Sequence, residues 1–153
     1  MLWPLGIEPT FICGAERRPL GRPLATGHSV NTAVRRIRPV EQLFAPAEAP
    51  AGGLAVSAVD LLTLGLTHLD GRTPALLPIV YAEQMRQAVS GAEPFGLADG
   101  WGLGLAVFRS GNTTWVGHDG NANGTACYLR FAPAYGCAIA FPGSTQRTWD
   151  DGF

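Results

Sequence analysis

An α+β domain, with helices followed by an antiparallel meander, is the fold class this sequence predicts, and three observations predict it. Residues 1–50 are rich in proline, glycine and arginine and have little periodicity. Helical spacing of apolar residues begins at Ser57 and lasts to about residue 90. After Trp101 the period changes to two. The order is loops, two helices, then about four strands. No internal repeat interrupts it. At 153 residues the chain is long enough for one ordinary domain with its own core, so a single unit over 1–153 is expected.

Each element has its own signal. The 1–50 segment is expected to be extended and loop-rich, crossing a surface. Ser57 with Asp60 three residues later matches a capping box, and Val59, Leu61, Leu62, Leu66 and Leu69 follow at helical spacing. That helix is expected to end near Asp70-Gly71. Thr73-Pro74 reads as a second N-cap and N1 pair. Leu76, Leu77, Val80, Tyr81, Gln84, Met85 and Ala88 continue as a helical stripe that Pro78 disturbs. Gly91 to Gly100 is expected to be a loop. Leu103, Leu105 and Val107 alternate with small residues, and Ser110-Gly111-Asn112 has turn chemistry. Thr113 to His118 is then the return strand, and Thr125–Phe131 with Cys137–Phe141 a further hairpin. Pro142 to Phe153 reads as a loop.

Composition excludes several classes of function. Hydrophobic residues make up 46% of the chain and charged residues 15%, which describes a globular rather than a disordered protein. A formal charge of −1 removes the electrostatic footprint of nucleic-acid binding, and Arg35-Arg36-Ile37-Arg38 alone does not restore it. The apolar runs fall short of a membrane span. Met1-Leu2-Trp3-Pro4 has neither the charged nor the long apolar region of a signal peptide, so the chain as it stands reads as cytoplasmic. Cys13, Cys127 and Cys137 have no metal spacing and read as reduced, mostly buried thiols. All eleven basic residues are arginine. Without lysine, no mechanism that needs a side-chain amine can be carried out by these residues.

Three stretches carry candidate chemistry. Gly27-His28-Ser29-Val30-Asn31 imitates the Gly-x-Ser-x-Gly nucleophile elbow, but Asn31 replaces the last glycine and no hydrophobic strand precedes Gly27. Ser29 therefore reads as an ordinary loop serine. His28, His68 and His118 lack ligand spacing, so no metal site is expected. His68 reads as a cation favouring the end of the first helix. His118-Asp119, within Gly117-His118-Asp119-Gly120, admits more: half of a catalytic triad, two metal ligands, or part of a loop that shapes a pocket. A strand ending in Gly-His-x-Gly brings an imidazole and backbone N–H groups to a sheet edge, where glycines let a ligand approach closely. Period two places Thr114, Val116 and His118 on one face and Trp115 and Asp119 on the other, which weakens the triad. A hairpin-end histidine beside a turn aspartate remains the plain alternative.

Several stretches together resemble the serine β-lactamase-related proteins: class C β-lactamases, D-alanyl-D-alanine carboxypeptidases and the esterases that share their fold. Pro4-Leu5-Gly6-Ile7-Glu8-Pro9-Thr10-Phe11 is similar to the family's "PLGM-x-x-T-x-F" element. Leu24-Ala25-Thr26-Gly27-His28 resembles "lATGY". Pro50-Ala51-Gly52-Gly53-Leu54, with Ser57 and Asp60-Leu61, resembles "PAGGL-x-S-x-x-DL". Gly100-Trp101-Gly102-Leu103-Gly104 is similar to the strand before the third active-site motif, and Gly117-His118-Asp119-Gly120 occupies that motif, as His-x-Gly where β-lactamases carry Lys-Thr-Gly. No one element is specific, but five in order over residues 4–141 are.

The resemblance implies a partial β-lactamase/penicillin-binding-protein-like (transpeptidase) fold. It implies that His118 and Gly120 form the third-motif wall of a cleft and that the Asn121 backbone N–H is an oxyanion-hole donor. Trp101, Asp119 and Tyr128 are the substrate-binding candidates. No cofactor is implied. The partner of the complete enzyme is a small-molecule amide or ester, cleaved through an acyl-serine. The departures matter equally. The family's nucleophile lies in Ser-x-x-Lys, which a lysine-free chain cannot contain, and Tyr-x-Asn is absent too. The expectation is the back portion of a serine hydrolase, cut at both ends and inactive alone as a pseudoenzyme is. Alternatives are a half-enzyme completed by a complementary chain, self-association, or a noncatalytic binding or scaffold protein that reuses the cleft.

Overall fold

The computed structural model describes residues 2–7, 10–11, 23–41, 44–69, 77–122 and 124–147. Among these, the elements in chain order are strands β1 (Thr10–Phe11), β2 (Gly27–Asn31) and β3 (Arg36–Val40), the short helix α1 (Ala49–Gly52) and strand β4 (Leu54–Ala55). Helices α2 (Ala58–Leu66) and α3 (Ile79–Arg86) follow, then strands β5 (Gly100–Trp101), β6 (Ala106–Ser110), β7 (Thr113–Ala122), β8 (Thr125–Ala132), β9 (Cys137–Gly143) and β10 (Thr145–Arg147). The chain forms two compact units.

The first unit comprises Met1–Ile7, Ser57–Asp119 and Tyr128–Phe141. Its sheet is ordered β5-β6-β7-β8-β9, the antiparallel meander expected after Trp101. The β6–β7 hairpin pairs Ser110 with Thr113 around Gly111-Asn112, with Gly111 at φ 57°, a conformation that glycine adopts at no steric cost. Val107 pairs with Val116, and both are buried. The core gathers Leu69, Leu105, Val116, Leu129 and Phe131, with Leu61, Leu66 and Met85 of the helical region packed against it. Helix α2 comes especially close at Gly65, where a Cβ would lie 2.8 Å from Leu129 Cδ1.

The capping box forms as its residues predict. Ser57 Oγ accepts from the Asp60 N–H at 3.1 Å, and Asp60 Oδ2 accepts from the Ser57 N–H at 3.1 Å. The helix is shorter than its apolar stripe suggests, closing at Leu66 with Thr67 as C-cap. Asp70-Gly71 and Thr73-Pro74 lie outside the described residues. Helix α3 begins only after Pro78, because the residue that disturbs the stripe supplies the N-cap instead.

The early stop changes the role of His68. Expected as a cation at the helix end, it instead stacks on Phe131 with ring centroids 5.1 Å apart. Burial first, and the Arg86 charge second, hold its pKa below the ordinary value. Its Nδ1 is shut from solvent, with no hydrogen-bond partner among the described residues. The cation at the helix end is Arg86, whose Nη1 donates to the His68 carbonyl at 3.0 Å.

The second unit comprises Glu8–Val56, Gly120–Cys127 and Pro142–Phe153. β1 pairs with β4, and a three-stranded sheet runs β10-β2-β3. Two stretches expected as loops are strands here. Gly27–Asn31 pairs antiparallel with Arg36–Val40, across a turn where Asn31 Oδ1 accepts from the Val34 N–H at 3.2 Å. Thr145–Arg147 pairs in parallel with β2, Thr145 opposite His28. The reason is tertiary. The His28 N–H donates to the carbonyls of both Gly124 and Ser144 at 2.9 Å, and Gly124 (φ 76°) has no side chain to obstruct the approach. Weakly patterned segments become strands when a neighbour supplies the ladder.

Candidate functional site

The site is built on β7, the central strand of the five. The β6–β7 register ends at Ala106↔Gly117, so His118 lies one residue past that ladder. Val116 and Gly117 are buried, and His118 is exposed. Gly117 is required by packing: a Cβ there would run into the Leu129 carbonyl oxygen. The strand was expected to end at His118 but continues to Ala122. Gly120 assists, since a Cβ at that position would lie 2.7 Å from Cys127 Sγ.

Two of the candidate residues come together. The rings of Trp101 and His118 meet edge-on, centroids 5.5 Å apart and planes at 68°. Trp101 is fixed by pairing with Ala106, and its carbonyl accepts from the Val89 N–H at 2.7 Å. Asp119 is engaged differently. Its carboxylate pairs with Arg130, Nη1 on Oδ1 and Nη2 on Oδ2, the latter at 2.9 Å. The His118 Nδ1 instead faces the backbone carbonyl of Asp119 at 2.6 Å. No His–carboxylate relay exists between the two, as opposite faces of a strand require. Tyr128 sits beside Phe141, ring centroids 6.4 Å apart. Gly120 and Asn121 follow on β7 within the second unit.

Ser29 lies within β2, opposite Arg38, and not at a strand-to-helix turn, so the elbow geometry is absent. Among the described residues no group of three His, Cys, Asp or Glu is placed to hold a metal ion. No helix among them is long and apolar enough to cross a membrane. Cys127 and Cys137 are half-buried rather than enclosed, and Cys13 lies outside the described residues.

The residues that sequence reasoning missed are Arg130 and Phe108. The guanidinium of Arg130 lies 3.7 Å over the Phe108 ring. A signal existed. In Tyr128-Leu129-Arg130-Phe131, period two sets Leu129 and Phe131 into the core and Arg130 on the other face, which is also the face of Asp119 on the neighbouring strand.

An antiparallel five-stranded sheet with few helices, carrying Gly-His-x-Gly on its central strand, is a partial β-lactamase/penicillin-binding-protein-like fold. A family model described as Beta-lactamase matches residues 15–150, and the chain belongs to the beta-lactamase family. It is 32% identical over 108 residues to Penicillin-binding protein 4 of Amycolatopsis lactamdurans, covering 67% of this chain and 28% of that one. Among solved structures, SurE superposes with a TM-score of 0.81 at 40% identity, covering 95% of this chain and 34% of SurE. SurE with D-Leu superposes with a TM-score of 0.73 at 38% identity, covering 95% and 32%. A D-stereospecific amidohydrolase from Streptomyces sp. shares the fold, with a TM-score of 0.71 at 23% identity, covering 97% and 42%. The chain thus spans about a third of the length of these relatives.

Proposed function

We propose that this chain supplies the third-motif wall of a serine hydrolase that cleaves an amide or ester through an acyl-serine. The observation that carries the reading is the exposed His118 imidazole, braced edge-on by Trp101 just past the end of the β6–β7 ladder. In the complete enzyme His118 lines the substrate cleft, and the Asn121 N–H donates to the developing oxyanion. The substrate class we propose is an amide or ester beside a D-configured residue. SurE with D-Leu and the D-stereospecific amidohydrolase support it.

The serine nucleophile and its lysine base are not provided by these residues, which contain no lysine. An unactivated hydroxyl is a poor nucleophile at neutral pH, so these 153 residues alone are expected to be inactive. Grafting residues 4–141 in place of the matching region of SurE tests the reading. The chimera should turn over a D-amino-acid amide or ester, and His118→Ala within it should lower kcat/KM by at least about a hundredfold. A chimera in which His118→Ala changes nothing would remove His118 from the chemistry.

A further inference from the structure

We infer that Arg130 is a positioning residue for His118, acting through Asp119 to hold the imidazole as the Nδ1–H tautomer with Nε2 left as an acceptor. The inference rests on the proposed role of His118 and adds what sets its protonation geometry. The His118 Nδ1 lies 2.6 Å from the Asp119 carbonyl oxygen. A carbonyl oxygen only accepts, so Nδ1 must carry the proton and the neutral ring has its lone pair on Nε2. This is the minor tautomer of a free histidine side chain, so something must hold the carbonyl in place.

Gly117 cannot be that anchor, because it has no side chain. Asp119 can. Both of its carboxylate oxygens are taken by Arg130, whose Nη1 also donates to the Leu129 carbonyl at 2.9 Å. The guanidinium is in turn set over Phe108. The two side chains are 21% and 32% exposed, so the pair is partly withdrawn from water, and its fork geometry fixes direction as well as distance. Asp119 is therefore spent on geometry rather than on a ligand. The consequence is chemical. A motif lysine offers only donors, whereas His118 held in this way presents an acceptor to a substrate hydroxyl or ammonium, or takes a proton from it.

Nitrogen-15 NMR of the full chain, labelled at histidine and recorded at about pH 8.5, about two units above the ordinary imidazole pKa, reads the tautomer directly. His118→Gln assigns the signals. The wild type should show a protonated Nδ1 and a bare Nε2 at His118. Arg130→Met and Asp119→Asn should each move the tautomer ratio toward Nε2–H by about tenfold, the effect of one lost hydrogen bond. Arg130→Lys should fall between, since it keeps the charge and loses the fork. The His68 signals, from a ring stacked on core Phe131, report in the same spectra whether the fold is intact. A wild-type Nε2–H tautomer would overturn the inference. So would an unmoved ratio in both variants with His68 unchanged. Loss of the His68 signals in both would make the clamp a folding element and also defeat the positioning claim. None of these outcomes depends on catalysis, so they stand apart from the test of the proposed function.

Discussion

At the scale of single residues, identity decided more than pattern. Gly117 is set by the Leu129 carbonyl that crowds it. Gly117→Ala should therefore cost about 2 kcal/mol or more, since the clash is with backbone that cannot rotate away. A urea titration checks this, and an unchanged midpoint would show that the strands separate without penalty. His68 makes a pH prediction. Its folded-state pKa lies below the ordinary value, so the unfolded chain takes up the proton first. Stability is then lost as pH falls through about 6.5. Thermal midpoints between about pH 7.5 and pH 5 should fall more steeply for the wild type than for His68→Phe, which has nothing to protonate. Parallel curves would show that His68 is not the sensor. The sequence placed His118 and Asp119 on opposite faces correctly, because period two needs no tertiary information. It could not show that Arg130 takes the Asp119 carboxylate, because that pairing depends on which strands are neighbours.

At the scale of elements, the legible parts were those with local signals. The capping box at Ser57 and the Gly111-Asn112 turn are short-range devices and appear where the residues put them. The meander forms too, but with five strands, β6 starting at Ala106 rather than near Leu103 and β7 running on past His118 to Ala122. Removing the Ser57 cap by Ser57→Ala should cost about 1 kcal/mol, seen as a lower midpoint in circular dichroism melting. No change would mean that packing of α2 on Leu129, not its cap, fixes the helix start. The illegible parts were long-range. β2 and β10 are paired from opposite ends of the chain, Thr145 against His28, and neither has strong alternation. Helix α2 stops at Leu66, and His68 beyond it stacks on Phe131, a contact that a helical stripe cannot foretell.

At the scale of the whole molecule, one edge of the five-stranded sheet is β9, with Ile139 58% and Phe141 62% exposed. A strand edge beside exposed apolar side chains seeks another strand. Size-exclusion chromatography with light scattering should show mass rising with concentration, and Ile139→Lys should suppress the rise. A monomer at every concentration would show the edge to be protected. The central claim is that these residues carry the third-motif wall of a serine hydrolase and no activated nucleophile. Its most direct test is intact mass measurement of the 16.1 kDa chain after incubation with a fluorescent penicillin and with a fluorophosphonate. An unmodified mass is expected with both reagents. A stoichiometric adduct, on Ser29 or Ser57 above all, would contradict it.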